Sequence, residues 1–218
     1  MSMKHTTELV HIPADGVTLD GDLVLPATAT GIVVFAHGSG SSRHSPRNTF
    51  VAQQLQAAGL GTLLFDLLTR QEDATYETRF DIALLTRRLE AATRWLQGQP
   101  RTRSLKIGYF GASTGAAAAL YAAATLGQQI GAVVSRGGRP DLAMSALGQV
   151  AAPTLLIVGG EDHEVITLNR QAYDALRAEK QLVIVPGATH LFEESGTLEE
   201  VARVAAQWFT QHLSTKTD

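Results

Sequence analysis

Polar and apolar residues alternate near the start of the chain and then give way to solid apolar runs. From Glu8 to Ile12 the alternation is that of a strand, Pro13-Ala-Asp-Gly16 reads as a turn, and Val17, Leu19, Leu23 and Leu25 resume it between polar or glycine partners. This pattern predicts an antiparallel hairpin with one wet face. Gly31 to Ala36, Gly61 to Asp66, Leu105 to Phe110, Ile130 to Val134, Thr154 to Val158 and Leu182 to Val185 are instead nearly continuous apolar segments. Such runs suit strands buried on both faces of a parallel sheet.

Helical spacing fills the gaps between them. Helices are expected over Asn48 to Ala58, ended by Gly59, and over Phe80 to Gln97, where Ile82, Leu85, Leu89, Ala92 and Leu96 share a face. Three more are expected behind Ser113, over Thr167 to Ala178 and over Leu198 to His212. Trp95 and Trp208 fall at apolar helix positions and belong to the core. A hairpin followed by repeated strand–helix units predicts an α/β fold over residues 1–218 as one domain: a mostly parallel sheet, helices on both faces and an antiparallel N-terminal edge. Val134 to Thr154 leaves room for only a short helix, so no cap domain and an open cleft are expected. The polar segment Gln71 to Arg79 is expected to cover part of that cleft.

One stretch carries specific chemistry. Ile107, Tyr109 and Phe110 lead straight into Gly111-Ala-Ser-Thr-Gly115 and then an alanine run. A G-x-S-x-G turn between strand and helix holds its serine in a strained conformation, with the hydroxyl clear of the sheet. Its glycines sit where any side chain would collide. The helix N-terminus points its free N–H groups at the place where negative charge develops. A serine hydroxyl needs a base, and the base an orienting carboxylate, in the order nucleophile, acid, histidine. Asp141, Glu161, Asp162 and Glu164 are the carboxylates at later strand ends; Asp162, released by Gly159-Gly160, is the choice. Of seven histidines, His190 alone follows both Ser113 and Asp162 and also a strand with a glycine turn. The predicted catalytic set is therefore Ser113, Asp162 and His190. The oxyanion donors are expected to be the N–H groups of Thr114 and Ser39, with Gly40 next to it, while His37 braces their loop. Arg43, His44 and Arg47 cluster near a helix start, and Arg136 and Arg139 flank two glycines at a strand end. Gly40, Arg43, Arg47 and Arg136 are the substrate-binding candidates, the arginines as holders of a carboxylate or phosphate.

Composition narrows the rest. A net charge of −3 gives no electrostatic case for nucleic acid or acidic membranes, and the hydrophobic share of 44% is that of a globular chain. The absence of cysteine removes thiolate chemistry and disulfides. Neither metal-ligand spacing nor a nucleotide-type glycine loop occurs, so no cofactor is expected. The first residues lack the apolar core of a signal peptide and no run is long enough to span a bilayer, which predicts a cytoplasmic protein.

His37-Gly38, Gly111 to Gly115, Gly159-Gly-Glu-Asp162 and Gly187-Ala-Thr-His190 together resemble the α/β-hydrolase fold over essentially the whole chain. The segments Phe35 to Asn48 and Ser135-Arg-Gly-Gly-Arg-Pro140 are similar to the small, lidless dienelactone-hydrolase-like group. Some bacterial proteins of that group are fused to, or named after, a phosphoribosyltransferase domain; none is expected in this chain. The resemblance implies hydrolysis of a small ester or lactone through an acyl-enzyme. Dienelactone hydrolases carry cysteine as nucleophile, whereas this chain has Ser113, so a serine carboxylesterase is the expectation. The same triad would serve a thioesterase or perhydrolase, and a non-catalytic binding protein on this fold is the other alternative.

Overall fold

The computed structural model describes residues 6–214. Strands β1 (Thr7–Ala14) and β2 (Val17–Val24) form the hairpin. They are followed by β3 (Gly31–Ala36), α1 (Pro46–Ala57), β4 (Gly61–Phe65), α2 (Arg70–Asp73), α3 (Ile82–Gly98), β5 (Lys106–Ala112) and α4 (Thr114–Leu126). The chain continues through β6 (Ile130–Arg136), β7 (Thr154–Gly159), α5 (His163–Ala175), β8 (Lys180–Val185) and α6 (Thr197–Leu213). All eight strands form one sheet in the order β1-β2-β4-β3-β5-β6-β7-β8, antiparallel from β1 to β4 and parallel from β4 to β8. This is the α/β-hydrolase arrangement. Only a 3-10 segment, Pro140–Gln149, fills the space between β6 and β7, so there is no cap.

The solid apolar runs are explained by burial from both sides. In β3, Ile32 and Val34 face the layer of α3 and α4, while Val33 and Phe35 face that of α1 and α6; all four are at most 1% exposed. Each such side chain contributes about 1.5–3 kcal/mol by leaving water. Trp208 is buried and Trp95 packs against the α3–α4 layer.

Three boundaries differ from the sequence expectation for local reasons. Helix α1 starts at Pro46, because Ser45 caps it by accepting a hydrogen bond from the Asn48 N–H and proline tolerates the first helical position. Helix α5 starts at His163, immediately after Asp162. The polar stretch after β4 holds the short α2, closed by a capping box in which Thr69 and Glu72 satisfy each other's backbone N–H. Among the described residues, no helix is long and apolar enough to cross a membrane.

The order of strands reverses direction at β3: its chain neighbour β4 lies on one side and β5 on the other. A crevice forms at such a switch point beyond the carboxyl ends of the strands. The loops after β3, β5, β7 and β8 carry His37, Ser113, Asp162 and His190 to that end.

Candidate active site

Ser113 connects β5 to α4 with φ 51° and ψ −121°, a region that side-chain-bearing residues avoid. Backbone hydrogen bonds hold it there. Its N–H donates to the Arg136 carbonyl at 3.3 Å, and its carbonyl accepts from Ala116 N–H and Arg139 N–H, each at 3.1 Å. The flanking glycines are needed for space. A Cβ at Gly111 would lie 2.4 Å from Ala116 Cα, and one at Gly115 would lie 2.1 Å from the Ala36 carbonyl oxygen. The elbow is thus wedged between its own helix and the end of β3. The Thr114 N–H, at the first helical position, has no intrahelical acceptor.

The loops after β7 and β8 interlock. Gly160 N–H donates to Val185 O at 2.8 Å and Glu161 N–H to Ala188 O at 3.0 Å. This brings Asp162 Oδ2 to 2.6 Å from His190 Nδ1, fixing the tautomer with the proton on Nδ1 and leaving Nε2 for other work. Asp162 is largely shielded, and the His190 side chain is 40% exposed. A second carboxylate supports the same loop: Glu194 accepts from Thr189 Oγ1 at 2.6 Å and from Thr189 N–H at 3.1 Å, which holds its carboxyl below the usual range. This brace was missed in the sequence; its local signal is an acid a short turn beyond the threonine that precedes His190.

Ser113 and His190 line one cavity of about 200 Å³, together with Ser39, Arg47, Asn48 and Arg136. No direct hydrogen bond joins the hydroxyl to the imidazole. The Ser39 N–H donates to Thr114 Oγ1 at 3.0 Å, so both residues expected as oxyanion donors meet here, joined to each other. Gly40 lies next door, lining a small cavity with Asp73 and Arg79, and these two bring the segment after β4 against the loop.

The arginine candidates separate. Arg43 is held by Asp66, by Asp22 at 3.4 Å and by Asp20 at 3.9 Å, in another cavity of about 390 Å³ beyond His37. His44 also lines that second cavity. Arg139 forms a two-pronged pair with Asp141, both contacts at 2.8 Å. Arg47 reaches the Ser113 cavity while its guanidinium touches exposed Glu193 at 3.3 Å. Arg136 is 6% exposed; burial, and then the neighbouring Arg47 charge, push it down to about 10.

His37 is structural. Its Nε2 accepts from Leu67 N–H at 3.0 Å and its Nδ1–H donates to Gly38 O at 3.0 Å, which together define a neutral ring. Burial lowers its pKa below the ordinary 6.5, against the opposing effects of the Gly38 bond and the Asp66 and Asp73 charges. As pH falls through about 6.5 the unfolded chain therefore takes up a proton that the folded one refuses until lower pH. The stability present above that pH is lost below it, by up to about 1.4 kcal/mol per pH unit. His37→Gln keeps an acceptor for Leu67 and is expected to flatten this component. Urea midpoints measured between pH 7 and 5 check it, and identical slopes in both proteins would refute it.

Comparison with known proteins places this fold among hydrolases. The profile of the Dienelactone hydrolase family matches residues 19–215. The chain is 58% identical over 206 residues to a Mycobacterium tuberculosis protein named as a phosphoribosyl transferase; the match takes in 94% of this chain and 46% of that one. This chain therefore spans about half the length of that relative. An uncharacterised protein of the same organism is 30% identical over 202 residues, 81% of this chain and 69% of its own. Among solved structures, a dienelactone hydrolase from Anabaena variabilis superposes with a TM-score of 0.94 at 57% identity, covering 96% of this chain and 99% of that one. Est1E from Butyrivibrio proteoclasticus shares the fold at 16% identity, with a TM-score of 0.81 over 94% of this chain and 98% of its own.

Proposed function

This chain belongs to the dienelactone hydrolase family, and from that premise we propose that it hydrolyses small carboxylic esters or lactones through an acyl-enzyme on Ser113. One observation carries the reading. A serine held at φ 51° at the head of a helix shares a small cavity with a histidine whose Nδ1 is bound by a carboxylate.

His190 Nε2 takes the proton of Ser113 as Oγ attacks the carbonyl carbon. Rotation of the serine side chain, or one water, closes the gap between them, as is usual before substrate tightens a site. The negative charge arrives on the carbonyl oxygen beside the Thr114 N–H and the positive end of α4. The Ser39 N–H joins when the Thr114 hydroxyl yields it. Collapse of the intermediate breaks the ester C–O bond, and the imidazolium returns the proton to the departing alkoxide. Water, deprotonated by the same imidazole, then attacks the acyl-serine and releases the acid. Asp162 orients the ring and stabilises its charged form throughout.

A fluorophosphonate probe is expected to label Ser113, and a short 4-nitrophenyl ester to be hydrolysed. A folded protein that does neither would instead be a binding protein on a hydrolase fold. Asp162→Asn presents an amide where His190 needs an acceptor and favours the wrong tautomer. We expect kcat to fall roughly 10²–10⁴-fold with KM and the circular dichroism spectrum little changed. A kcat within threefold of wild type would remove Asp162 from the mechanism.

A further inference from the structure

His190 has little packing to hold it. Its side chain is 40% exposed, against 15% for Asp162. The loop after β6 passes close by: an ideal Cβ at Gly137 would stand 3.6 Å from His190 Cε1 and 3.2 Å from its carbonyl oxygen. Asp162 fixes the ring at Nδ1, but that bond sets the position of Nε2 only if the backbone carrying the ring stays in place. That backbone is irregular. It runs through positive φ at Gly187 (71°), Phe192 (55°) and Gly196 (80°). Phe192 bears a side chain, so its conformation persists only where the surroundings enforce it.

Two hydrogen-bonded turns do the enforcing. Phe192 N–H donates to the Thr189 carbonyl at 3.2 Å, and the Phe192 ring is buried. Thr197, the first residue of α6, donates to the Glu194 carbonyl through its N–H at 3.1 Å and its Oγ1 at 2.6 Å. Glu194 joins the two turns. Its main chain is tied to α6, and its carboxylate accepts both the Thr189 hydroxyl at 2.6 Å and the Thr189 N–H at 3.1 Å. A line of bonds thus runs from a 17-residue helix through Glu194 and Thr189 to the residue that bears the imidazole. Thr189 is exposed and Glu194 half-buried. Water can satisfy every group in this clasp, so the clasp adds little to stability. A carboxylate that folding hardly needs, with both oxygens committed to the residue before the histidine, has a positional duty.

We propose that Glu194 is a positioning residue for hydrolysis: by clamping Thr189 to the start of α6, it holds the His190 ring in register between Asp162 and Ser113. The proposal deepens the serine-hydrolase reading and rests on it for the reaction that the register serves. A misplacement of 1 Å costs on the order of 10²-fold in rate, so a shift of about half that costs about tenfold. Glu194 touches neither the ring nor the serine, and its effect is therefore expected in kcat and not in KM.

Hydrolysis of a short 4-nitrophenyl ester tests it. Glu194→Ala is expected to lower kcat about tenfold, with KM within about threefold of wild type and the urea midpoint nearly unchanged. Glu194→Gln keeps one acceptor and Thr189→Val keeps the backbone bond, so each should lose only about threefold. Should Glu194→Ala fail to fold, these two carry the measurement. In an Asp162→Asn background the ring is already misaligned, and Glu194→Ala should cost less than about twofold more. One readout needs no substrate. The short charge-assisted bond to Asp162 shifts the His190 Nδ1 proton far downfield in the NMR spectrum, and that line should broaden in Glu194→Ala. A kcat within twofold of wild type, or equal losses in the two backgrounds, overturns the positioning role while leaving ester hydrolysis standing. If wild type hydrolyses no ester, the serine-hydrolase reading fails and the NMR line decides alone: broadening upholds the clamp on the ring, and an unchanged line overturns it.

Discussion

Ser113→Ala is expected to lower ester turnover by roughly 10⁴–10⁶-fold, abolish labelling by a fluorophosphonate, and leave the fold and its urea midpoint almost unchanged. The residual rate comes from binding and from the Thr114 N–H, which the substitution does not touch. Stability is insensitive because alanine keeps the Cβ, and the Cβ is what makes φ 51°, ψ −121° unfavourable. Ser113→Gly separates the two quantities. It removes the nucleophile and the Cβ together, so it should be equally inactive yet more stable than wild type, by about 1 kcal/mol. The gain is the strain the fold carries in order to present a hydroxyl at this point. Paired urea titrations and stopped assays on the two variants check both halves. An alanine variant within tenfold of wild-type turnover would remove Ser113 as nucleophile. A glycine variant less stable than the alanine variant would mean that the elbow is not strained.

The features legible in the sequence were those whose cause is local. The G-x-S-x-G elbow, the doubly buried strands and the short connection after β6 each follow from residues close together in the chain, and the structure places them as expected. Asp162 and His190 were findable because each follows an apolar strand and a glycine, although 28 positions separate them. What could not be read depends on distant parts of the chain. Arg43 and Arg47 lie four positions apart in one loop and look alike as sequence. Only folding shows that Asp20 and Asp22 of β2 and Asp66 after β4 converge on the first, while the second lines the cavity that also holds Ser113. The bond from Ser39 N–H to Thr114 Oγ1 spans 75 positions and depends on β3 and β5 pairing in register, Ala36 beside Gly111. Helix α2, at four residues, is too short for periodicity to register, though its Thr69 and Glu72 carry the spacing of a capping box.

Gly115→Ala should be the most destabilising small substitution in the elbow. Helix propensity argues the other way: Gly115 is the second residue of α4, where alanine is favoured over glycine by about 1 kcal/mol. Sterics reverse the sign. The new Cβ would meet the Ala36 carbonyl oxygen at 2.1 Å, the His37 carbonyl oxygen at 2.6 Å and Ala36 C at 2.7 Å. All three are backbone atoms, so no side chain can turn aside, and either α4 or the end of β3 must move. Overpacking typically costs about 1–3 kcal/mol, and more where only backbone can give way, which outweighs the propensity gain. The displacement would act where Gly38 and Ser39 approach Ser113 from β3, so kcat should fall at least about tenfold in whatever fraction stays folded. Gly98→Ala is the control. Gly98 ends α3, nothing lies within 4 Å of its ideal Cβ, and its φ is an ordinary negative one. That change should stabilise by up to about 1 kcal/mol with activity unaltered. Opposite signs for two glycine-to-alanine changes in helices would show that close approach to β3, and not helix propensity, fixes the glycine behind the serine. Equal urea midpoints for the two variants would show that the end of β3 gives way without cost, and would remove the wedge as the reason for the glycine.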